Sequence, residues 1–260
     1  MRNRTKEKLR RGEAVLGTFV FLGDPSIVEI AAISGLDFVV IDTEHAGRDI
    51  AQVEGLVRAA DAADITPLVR VSRLDDKEIL RALETGAQGI MVPQVESADE
   101  VRQMLSAMRY PPHGTRSTCR ATRAAGYGSQ AARFAAHAAN VDDELLSVVL
   151  VETAQAIEHL AEILEAGPDV AFLGKADLAS SMGFVGDVDA PAVEAAVQRF
   201  LEECRSRSSG PWPGLVPYGG AETFGCPFVM QSSDANVLLD GFSAFVARYR
   251  SPAGSSAPTG

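Results

Sequence analysis

Short apolar runs alternate with amphipathic segments along almost the whole chain. Eight of the runs have the length of β-strands, and most are apolar on both faces, as parallel strands covered by helices should be. These predicted strands span residues 16–22, 37–42, 66–72, 89–95, 146–152, 170–176, 214–220 and 227–233. The seventh is the weakest prediction because it is short and rich in glycine and proline.

The segments between the strands have the pattern of amphipathic helices. In residues 26–35 the apolar positions recur at helical spacing, and Gly35 stands where a helix usually ends. Ser97 and Glu100 have the spacing of a capping box at the start of another helix. Residues 153–167 carry the same helical pattern.

Eight strands with intervening helices predict an α/β fold, a (β/α)8 TIM barrel that forms one domain over residues 1–250. A doubly wound sheet is the alternative, but residues 21–26, FLGDPS, are not the glycine-rich turn of a dinucleotide-binding fold. Residues 110–140 are too long for an ordinary loop, which favours a lid or an interface element. The polar tail at residues 251–260 is predicted to be disordered.

Composition and charge argue against several classes of partner. The net charge of −11 over 260 residues disfavours binding to nucleic acid or to an anionic membrane, since both need clustered positive charge. The charged N-terminus lacks the apolar core of a signal peptide, and no apolar run approaches the ~18 residues that span a bilayer. Three widely spaced cysteines suit a reducing compartment. We therefore predict a cytoplasmic protein without nucleic-acid or membrane partners.

Polar side chains collect where the predicted strands end, which is the edge at which barrel active sites lie. These residues are Asp42, Glu44, His45, Arg70, Gln94, Glu152, Lys175, Asp177 and Asp234. Each has a structural explanation when taken alone. Together they predict a ring of polar groups around one mouth of the barrel.

Glu152 and Asp177 end adjacent predicted strands, where a carboxylate is costly to bury unless it is paired or bound to a metal. Two carboxylates with open positions suit Mg²⁺, Mn²⁺ or Co²⁺, which also bind substrate oxygens. The alternative is that both residues cap helices, because aspartate is favoured at helix N-termini. The residue pattern leaves the two interpretations level.

His45 and Arg70 are the other candidates for chemistry at this edge. Histidine titrates near neutral pH, so His45 could act as a general base. Arg70 is a permanent charge inside an apolar run and therefore needs an anionic partner. That partner is either structural, namely Asp42 or Glu44, or a substrate carboxylate or enolate, and we favour the substrate.

Taken with their flanks, these residues resemble the HpcH/HpaI family of metal-dependent aldolases. The resemblance covers nearly the whole chain, and several long segments occur in the family's order. The segments are GLDFVVIDTEHAGRD, PLVRVS, GAQGIMVPQVESADEV, RYPPHGTRS with GYG, VETAQAIEHLAEI and FLGKADLASSMG.

The resemblance implies a (β/α)8 barrel that is often hexameric, with the last helix exchanged between subunits. It implies reversible aldol cleavage that gives pyruvate, or a related 2-oxo acid, plus an aldehyde. Glu152 and Asp177 would hold the divalent cation, Arg70 would stabilise the enolate and His45 would move the proton. The substrate carboxylate would bind along the turn at Gly174, Lys175, Ala176 and Asp177. Asp42 and Glu44 would contact the catalytic residues and not the substrate.

The chain departs from the family pattern at three positions. Glu84 stands where an aspartate usually orients the catalytic histidine, and it is the predicted third catalytic residue. Leu150 replaces a glutamine two residues before the metal-binding glutamate. Lys175 replaces the proline of a GPADL-type turn. These changes leave the metal pair intact but bear on the choice of substrate.

Three alternatives to this function remain open from the sequence. Lys175 lies on the predicted sixth strand, where aldolases of the other class carry a Schiff-base lysine, although such an enzyme would not need Glu152, Asp177 and Arg70. Some relatives instead perform a biosynthetic condensation, as when oxaloacetate reacts with acetyl-CoA. The third alternative is a barrel retained for binding alone, which the intact ligand set disfavours.

Overall fold

A computed structural model of the chain describes residues 2–129, 131–207, 210–217 and 223–250. Eight parallel strands close into a barrel in the order of the sequence. The strands are β1 (Val15–Val20), β2 (Phe38–Asp42), β3 (Thr66–Arg70), β4 (Gly89–Val92), β5 (Leu146–Val151), β6 (Val170–Leu173), β7 (Trp212–Leu215) and β8 (Phe228–Ser233). The predicted (β/α)8 fold is therefore confirmed.

Helices surround the barrel or close its ends. They are α1 (Arg4–Arg10), α2 (Pro25–Ile33), α3 (Ile50–Ala63), α4 (Asp76–Glu84), α5 (Ala98–Met108), α6 (Phe134–Glu144), α7 (Ala154–Glu158), α8 (Leu160–Glu165), α9 (Lys175–Ser181), α10 (Pro191–Arg205) and α11 (Asp234–Arg250). No helix in the described ranges combines the length and the apolar character that crossing a bilayer requires.

Two boundaries differ from the prediction in ways that matter. β6 ends at Leu173, so Lys175 is the first residue of α9 and does not lie on the strand. β7 begins at Trp212, earlier than predicted, and the predicted strand residues 218–220 lie outside the described residues. The predicted tail at 251–260 also lies outside them.

The barrel interior is filled by large apolar side chains from alternate strand positions. The ring of Phe228 stacks on that of Phe38, with centroids 4.3 Å apart, and meets the ring of Phe172 edge-on at 6.1 Å. Gly17 allows this packing, since a Cβ there would collide with the Phe38 ring. Leu150 belongs to the same buried cluster. The interior is thus a packed core, and chemistry is restricted to the two ends.

The end at which the strands begin is closed by α1. Leu9 packs into the interior cluster. The ammonium of Lys6 is buried, donates to the Leu145 carbonyl at 2.6 Å and pairs with Asp169 at 3.0 Å. These contacts anchor the helix across this end of the barrel. The end at which the strands finish, which we call the mouth, is the open one.

The long segment after α5 also lies at the closed end. Ala124 N–H donates to the Glu84 carbonyl at 3.4 Å, and Arg123 donates to the Thr85 carbonyl at 2.8 Å. Glu84 and Thr85 stand between the last turn of α4 and the start of β4, which is opposite the mouth. The segment therefore does not act as a lid over the mouth of its own barrel.

Candidate active site

Adjacent strand ends carry the polar side chains of the mouth. Asp42 and Arg70 are register partners at the ends of β2 and β3. Glu152 follows β5, and Gly174 follows the neighbouring β6. The predicted ring of polar groups therefore spans neighbouring strands from β2 to β6, with Met91 of β4 in register beside Arg70.

Arg70 is buried and held on three sides. Its Nε lies 2.5 Å from Asp42 Oδ1, and its Nη1 lies 3.0 Å from Glu44 Oε2. The guanidinium carbon lies 4.6 Å from the centre of the Phe19 ring, a cation–π contact. Among the described residues none accepts a hydrogen bond from Nη2. The structural partners of Arg70 are thus Asp42 and Glu44, and one edge of its guanidinium is left for a ligand.

Asp42 organises the loop that carries His45. It is fully buried, and besides Arg70 it accepts the backbone N–H groups of Glu44 at 3.3 Å and His45 at 2.9 Å. The His45 ring is 59% exposed, and its Nε2 lies 3.8 Å from Glu44 Oε2. Burial raises the pKa of Glu44, and the charges of Arg70 and His45 act against that rise. His45 is therefore fixed at its backbone and open to the mouth at its ring.

Glu84 lies at the end of the barrel opposite His45. It is the last residue of α4, and its Oε1 accepts a hydrogen bond from Arg116 at 2.8 Å. Within one chain it cannot orient the His45 ring. The role predicted for Glu84 stays a prediction, and only a second chain could bring the two residues together.

Glu152 is the most constrained acid of the mouth. It is 3% exposed, and its Oε1 accepts the Gln94 N–H at 2.8 Å. Gln94 has a φ of 52°, a left-handed conformation that is uncommon for a residue with a side chain. Burial raises the pKa of Glu152 to about 7, and the charges of Asp177 and Glu44 add to the rise. A Cβ on Gly174 would lie 2.6 Å from Glu152 Oε2, so only glycine leaves room for this carboxyl group.

The helix-cap interpretation of the two acids does not match the structure. The side chain that caps α7 is Thr153, which accepts the Ala156 N–H at 3.0 Å. Helix α9 begins after Gly174 and has no side-chain cap, and Asp177 lies exposed in its first turn. Neither Glu152 nor Asp177 therefore serves as a helix cap.

A divalent cation fits these two carboxylates. Among the described residues no lysine or arginine forms an ion pair with Glu152 or Asp177, although the charge of Arg70 acts against the rise in the pKa of Glu152. The described residues also contain no cluster of three or more His, Cys, Asp or Glu side chains placed to hold an ion. A site here would have two protein ligands, as Mg²⁺ sites that keep positions for water and substrate oxygens commonly do.

Lys175 turns away from these acids toward α10. Its Nζ lies 3.0 Å from Asp189 Oδ1 and contacts Glu194 Oε1. Burial lowers the pKa of Lys175, but the hydrogen bonds to Glu194 and Asp189 outweigh it and leave the pKa raised. A Schiff base needs a neutral amine, so this environment disfavours that mechanism. The predicted contact between the Lys175 side chain and substrate stays a prediction.

Two of the remaining positions at the mouth have structural roles. Asp234 accepts the backbone N–H groups of Phe21 and Leu22, both at 2.9 Å, and so ties the end of β1 to that of β8. Leu150 is buried among the apolar side chains below the mouth. The substitution at Leu150 therefore gives the site an apolar floor.

Sequence reasoning missed Phe19 and the backbone of Gln94. Phe19 lies at an inward-facing position of β1, two and four residues after Gly17 and Val15, and this alternation was a usable signal. The left-handed turn at Gln94 had no comparable signal, since glutamine is not typical of that conformation.

Comparison with known proteins gives this geometry a family context. A family model described as HpcH/HpaI aldolase/citrate lyase matches residues 16–209. The chain is 34% identical to a 4-hydroxy-2-oxo-heptane-1,7-dioate aldolase of Salmonella arizonae, over 96% of this chain and 95% of the relative. It is 32% identical to a hydroxypyruvate/pyruvate aldolase of Pseudomonas aeruginosa, over 99% and 96%. The solved structure of citrate synthase SbnG is 28% identical, with a TM-score of 0.83 over 94% of this chain and 96% of that one.

The substitution Gly174→Ala tests the packing of Glu152. The added methyl group would displace the carboxyl group, so we expect the affinity for Mn²⁺ to fall by about 10- to 100-fold, as for other changes that misplace a metal ligand. Binding can be measured by electron paramagnetic resonance of free Mn²⁺. Gly55→Ala is the matched control, because a Cβ there meets no neighbouring atom within 4 Å. Equal affinities in the two variants would contradict the proposed arrangement.

Proposed function

Because the chain belongs to the HpcH/HpaI aldolase/citrate lyase family, we propose that it is a divalent-metal-dependent aldolase acting on a hydroxy-2-oxo acid. Aldolases and citrate lyases both act on carbon–carbon bonds, and the chain is a carbon–carbon lyase. The products would be pyruvate, or a related 2-oxo acid, and an aldehyde. The observation that carries the proposal is the pair Glu152 and Asp177, which form no ion pair among the described residues and whose charges interact, with Arg70 also acting on Glu152.

Glu152 and Asp177 are the proposed ligands of the ion, which is Mg²⁺, Mn²⁺ or Co²⁺. Glu152 is held in place by the Gln94 N–H on one side and by the absence of a side chain at Gly174 on the other. When bound, the ion supplies Lewis-acid polarisation of the ketone and carboxylate oxygens of the 2-oxo acid. Backbone groups of the turn at Gly174, Ala176 and Asp177 are the proposed contacts of the substrate carboxylate.

Arg70 stabilises the negative charge that develops on the ketone oxygen. Its guanidinium is already fixed by Asp42, Glu44 and the Phe19 ring, so it needs no reorganisation as the charge forms. The edge that carries Nη2 is the part of the group free to contact substrate. A preorganised charge of this kind is more effective in a buried site than in water.

His45 moves the proton. In the cleavage direction a base takes the proton of the substrate hydroxyl group, the carbon–carbon bond breaks, and its electron pair becomes the enolate. The protonated base then returns the proton to the enolate carbon. His45 suits this role because its backbone is fixed by Asp42 while its ring is open to the mouth.

A homo-oligomer, with the hexamer expected by family resemblance, is the proposed assembly. Helix α11 is largely exposed and carries a set of uncovered apolar side chains. These are Val237, Leu238, Leu239, Phe242, Phe245, Val246 and Tyr249. Ile30 and Ile33 of α2 and Leu16 of β1 are exposed on the barrel wall. Exchange of α11 between subunits would cover exposed apolar groups of this kind.

A second candidate is a related condensation of oxaloacetate with acetyl-CoA. The likeness to citrate synthase SbnG favours it, because that structure matches this chain over 94% of its length. The same enolate chemistry would serve both reactions, and only the electrophile would differ.

Metal removal tests the leading proposal. We expect EDTA to abolish pyruvate release from a 4-hydroxy-2-oxo acid and Mg²⁺, Mn²⁺ or Co²⁺ to restore it, because the carboxylate pair then regains its ion. Glu152→Gln and Asp177→Asn should each lower kcat/KM by about 100-fold or more, since each removes a charged ligand. Asp99→Asn, at an exposed position of α5, is the control. Activity that is indifferent to EDTA would exclude the mechanism.

The two candidate reactions can be separated by product. With the metal-loaded enzyme, we expect pyruvate release from a hydroxy-2-oxo acid to exceed CoA release from oxaloacetate and acetyl-CoA. Lactate dehydrogenase coupling measures the first and a thiol reagent measures the second. CoA release with the higher kcat/KM would assign the chain to the condensation.

The assembly is tested by light scattering coupled to gel filtration. The wild-type chain should elute with the mass of a hexamer. Phe242→Asp combined with Phe245→Asp should lower the mass, because two charges would then enter the apolar face of α11. Glu202→Gln, on an exposed face of α10, is the control. A wild-type monomer would contradict the proposed assembly.

A further inference from the structure

The inner side of the turn that carries Asp177 is held by backbone contacts of Gly174. Gly174 N–H donates to the Val151 carbonyl at 3.1 Å, and the α-carbon of Gly174 faces the Glu152 carboxyl group. Ala176 and Asp177 are exposed. The first side chain of α9 that is fully buried is Leu178. Within the described ranges, the outer side of this turn is therefore exposed at Ala176 and Asp177.

Lys175 supplies the contact on that outer side. Its side chain is only 13% exposed, and its partners include Asp189, which precedes α10, and Glu194 in the first turn of α10. α10 itself is anchored against α9 through Val193 and Ala190, which pack with Ala179. The ammonium thus connects the exposed first turn of α9 to the start of α10.

We infer that Lys175 is a positioning residue, which holds the Gly174–Asp177 turn against Glu152 by its ion pairs with α10. Lys175 is the first residue of α9, a position where proline is favoured because its ring presets the backbone. Lysine imposes no such restriction, so rigidity has to come from the side chain. The inference rests on the proposed function, since it assumes that Glu152 and Asp177 share an ion.

Electrostatic repulsion is the reason that the turn needs holding. In the ionised form that binds a cation, Glu152 and Asp177 carry like charges, and Glu44 adds a third acid to the same region. Before an ion binds, this repulsion favours movement of the exposed Asp177 away from the buried Glu152. The ion pairs of Lys175 with Asp189 and Glu194 hold the turn in one conformation. Less free energy is then needed to order Glu152 and Asp177 when they bind the ion.

The sign of the effect separates positioning from simple charge. Removing a positive charge near a cation site strengthens cation binding by Coulomb's law. Loss of the contact that holds the turn would instead weaken cation binding. If Lys175→Met lowers the affinity for a cation, the loss therefore comes from the turn and not from the charge.

The test compares Lys175→Met, Lys175→Pro and the wild type in Mn²⁺ binding without substrate and in amide hydrogen exchange of residues 174–178. We expect Lys175→Met to weaken Mn²⁺ binding by about three- to tenfold, in line with a partly buried ion pair, and to speed exchange in the turn. Lys175→Pro should bind Mn²⁺ like the wild type, because the proline ring restores rigidity without charge. Lys8→Met, which removes an ion pair with Asp37 at the closed end, is the matched control.

The outcomes are distinguishable. A wild type that binds no Mn²⁺ overturns the proposed function. Wild-type binding together with unchanged affinity and exchange in Lys175→Met overturns the positioning role. Equal loss of Mn²⁺ affinity in Lys175→Met and Lys175→Pro, with unchanged amide exchange in the turn and a native circular dichroism spectrum in both, also overturns it, since Lys175 would then act otherwise than by holding the turn.

Discussion

The mouth depends on one constraint, a carboxylate buried after β5 that forms no ion pair within the described part of the chain. Glu152 is removed from water, accepts a hydrogen bond from the strained backbone at Gln94, and has a neighbour that must be glycine. Burial of an unpaired charge is expensive, so the site is stable either with the proton retained or with a cation bound. The backbone conformation at Gln94 and the glycine at position 174 both accommodate the Glu152 carboxyl group.

Arg70 differs from the two carboxylates of the mouth because its charge is neutralised by neighbouring side chains. Arg70 is neutralised by Asp42 and Glu44 and is stacked on Phe19, which makes it a fixed positive group rather than a mobile one. Glu152 and Asp177 have no such partner among the described residues. Arg70 is thus a neutralised cation, and it lies near two carboxylates that have no ion-pair partner. This arrangement suits a site where the carboxylates bind a metal ion and a substrate oxygen gains charge between the ion and Arg70.

The two ends of the barrel have different roles: contacts at the closed end stabilise the fold, and the mouth carries the candidate active site. At the closed end, α1 and the segment after α5 form buried hydrogen bonds and ion pairs, including those of Lys6 and Glu84. At the mouth, turns such as that of Asp177 are short and exposed, and they are held by a few contacts such as those of Gly174 and Lys175. Small changes of sequence at the mouth can therefore alter the reaction without affecting the fold.

The sequence alone determined the eight strands and the edge at which the polar residues gather, because the apolar pattern and the position of a charge at a strand end are local properties. It could not locate Glu84, which was predicted to orient His45 but lies at the opposite end of the chain's own barrel. Nor could it show that Lys175 turns to Asp189, or that Phe19 lies beneath Arg70, 51 residues later. Such contacts join distant segments, and the direction of a side chain depends on which neighbours the closed barrel brings within reach.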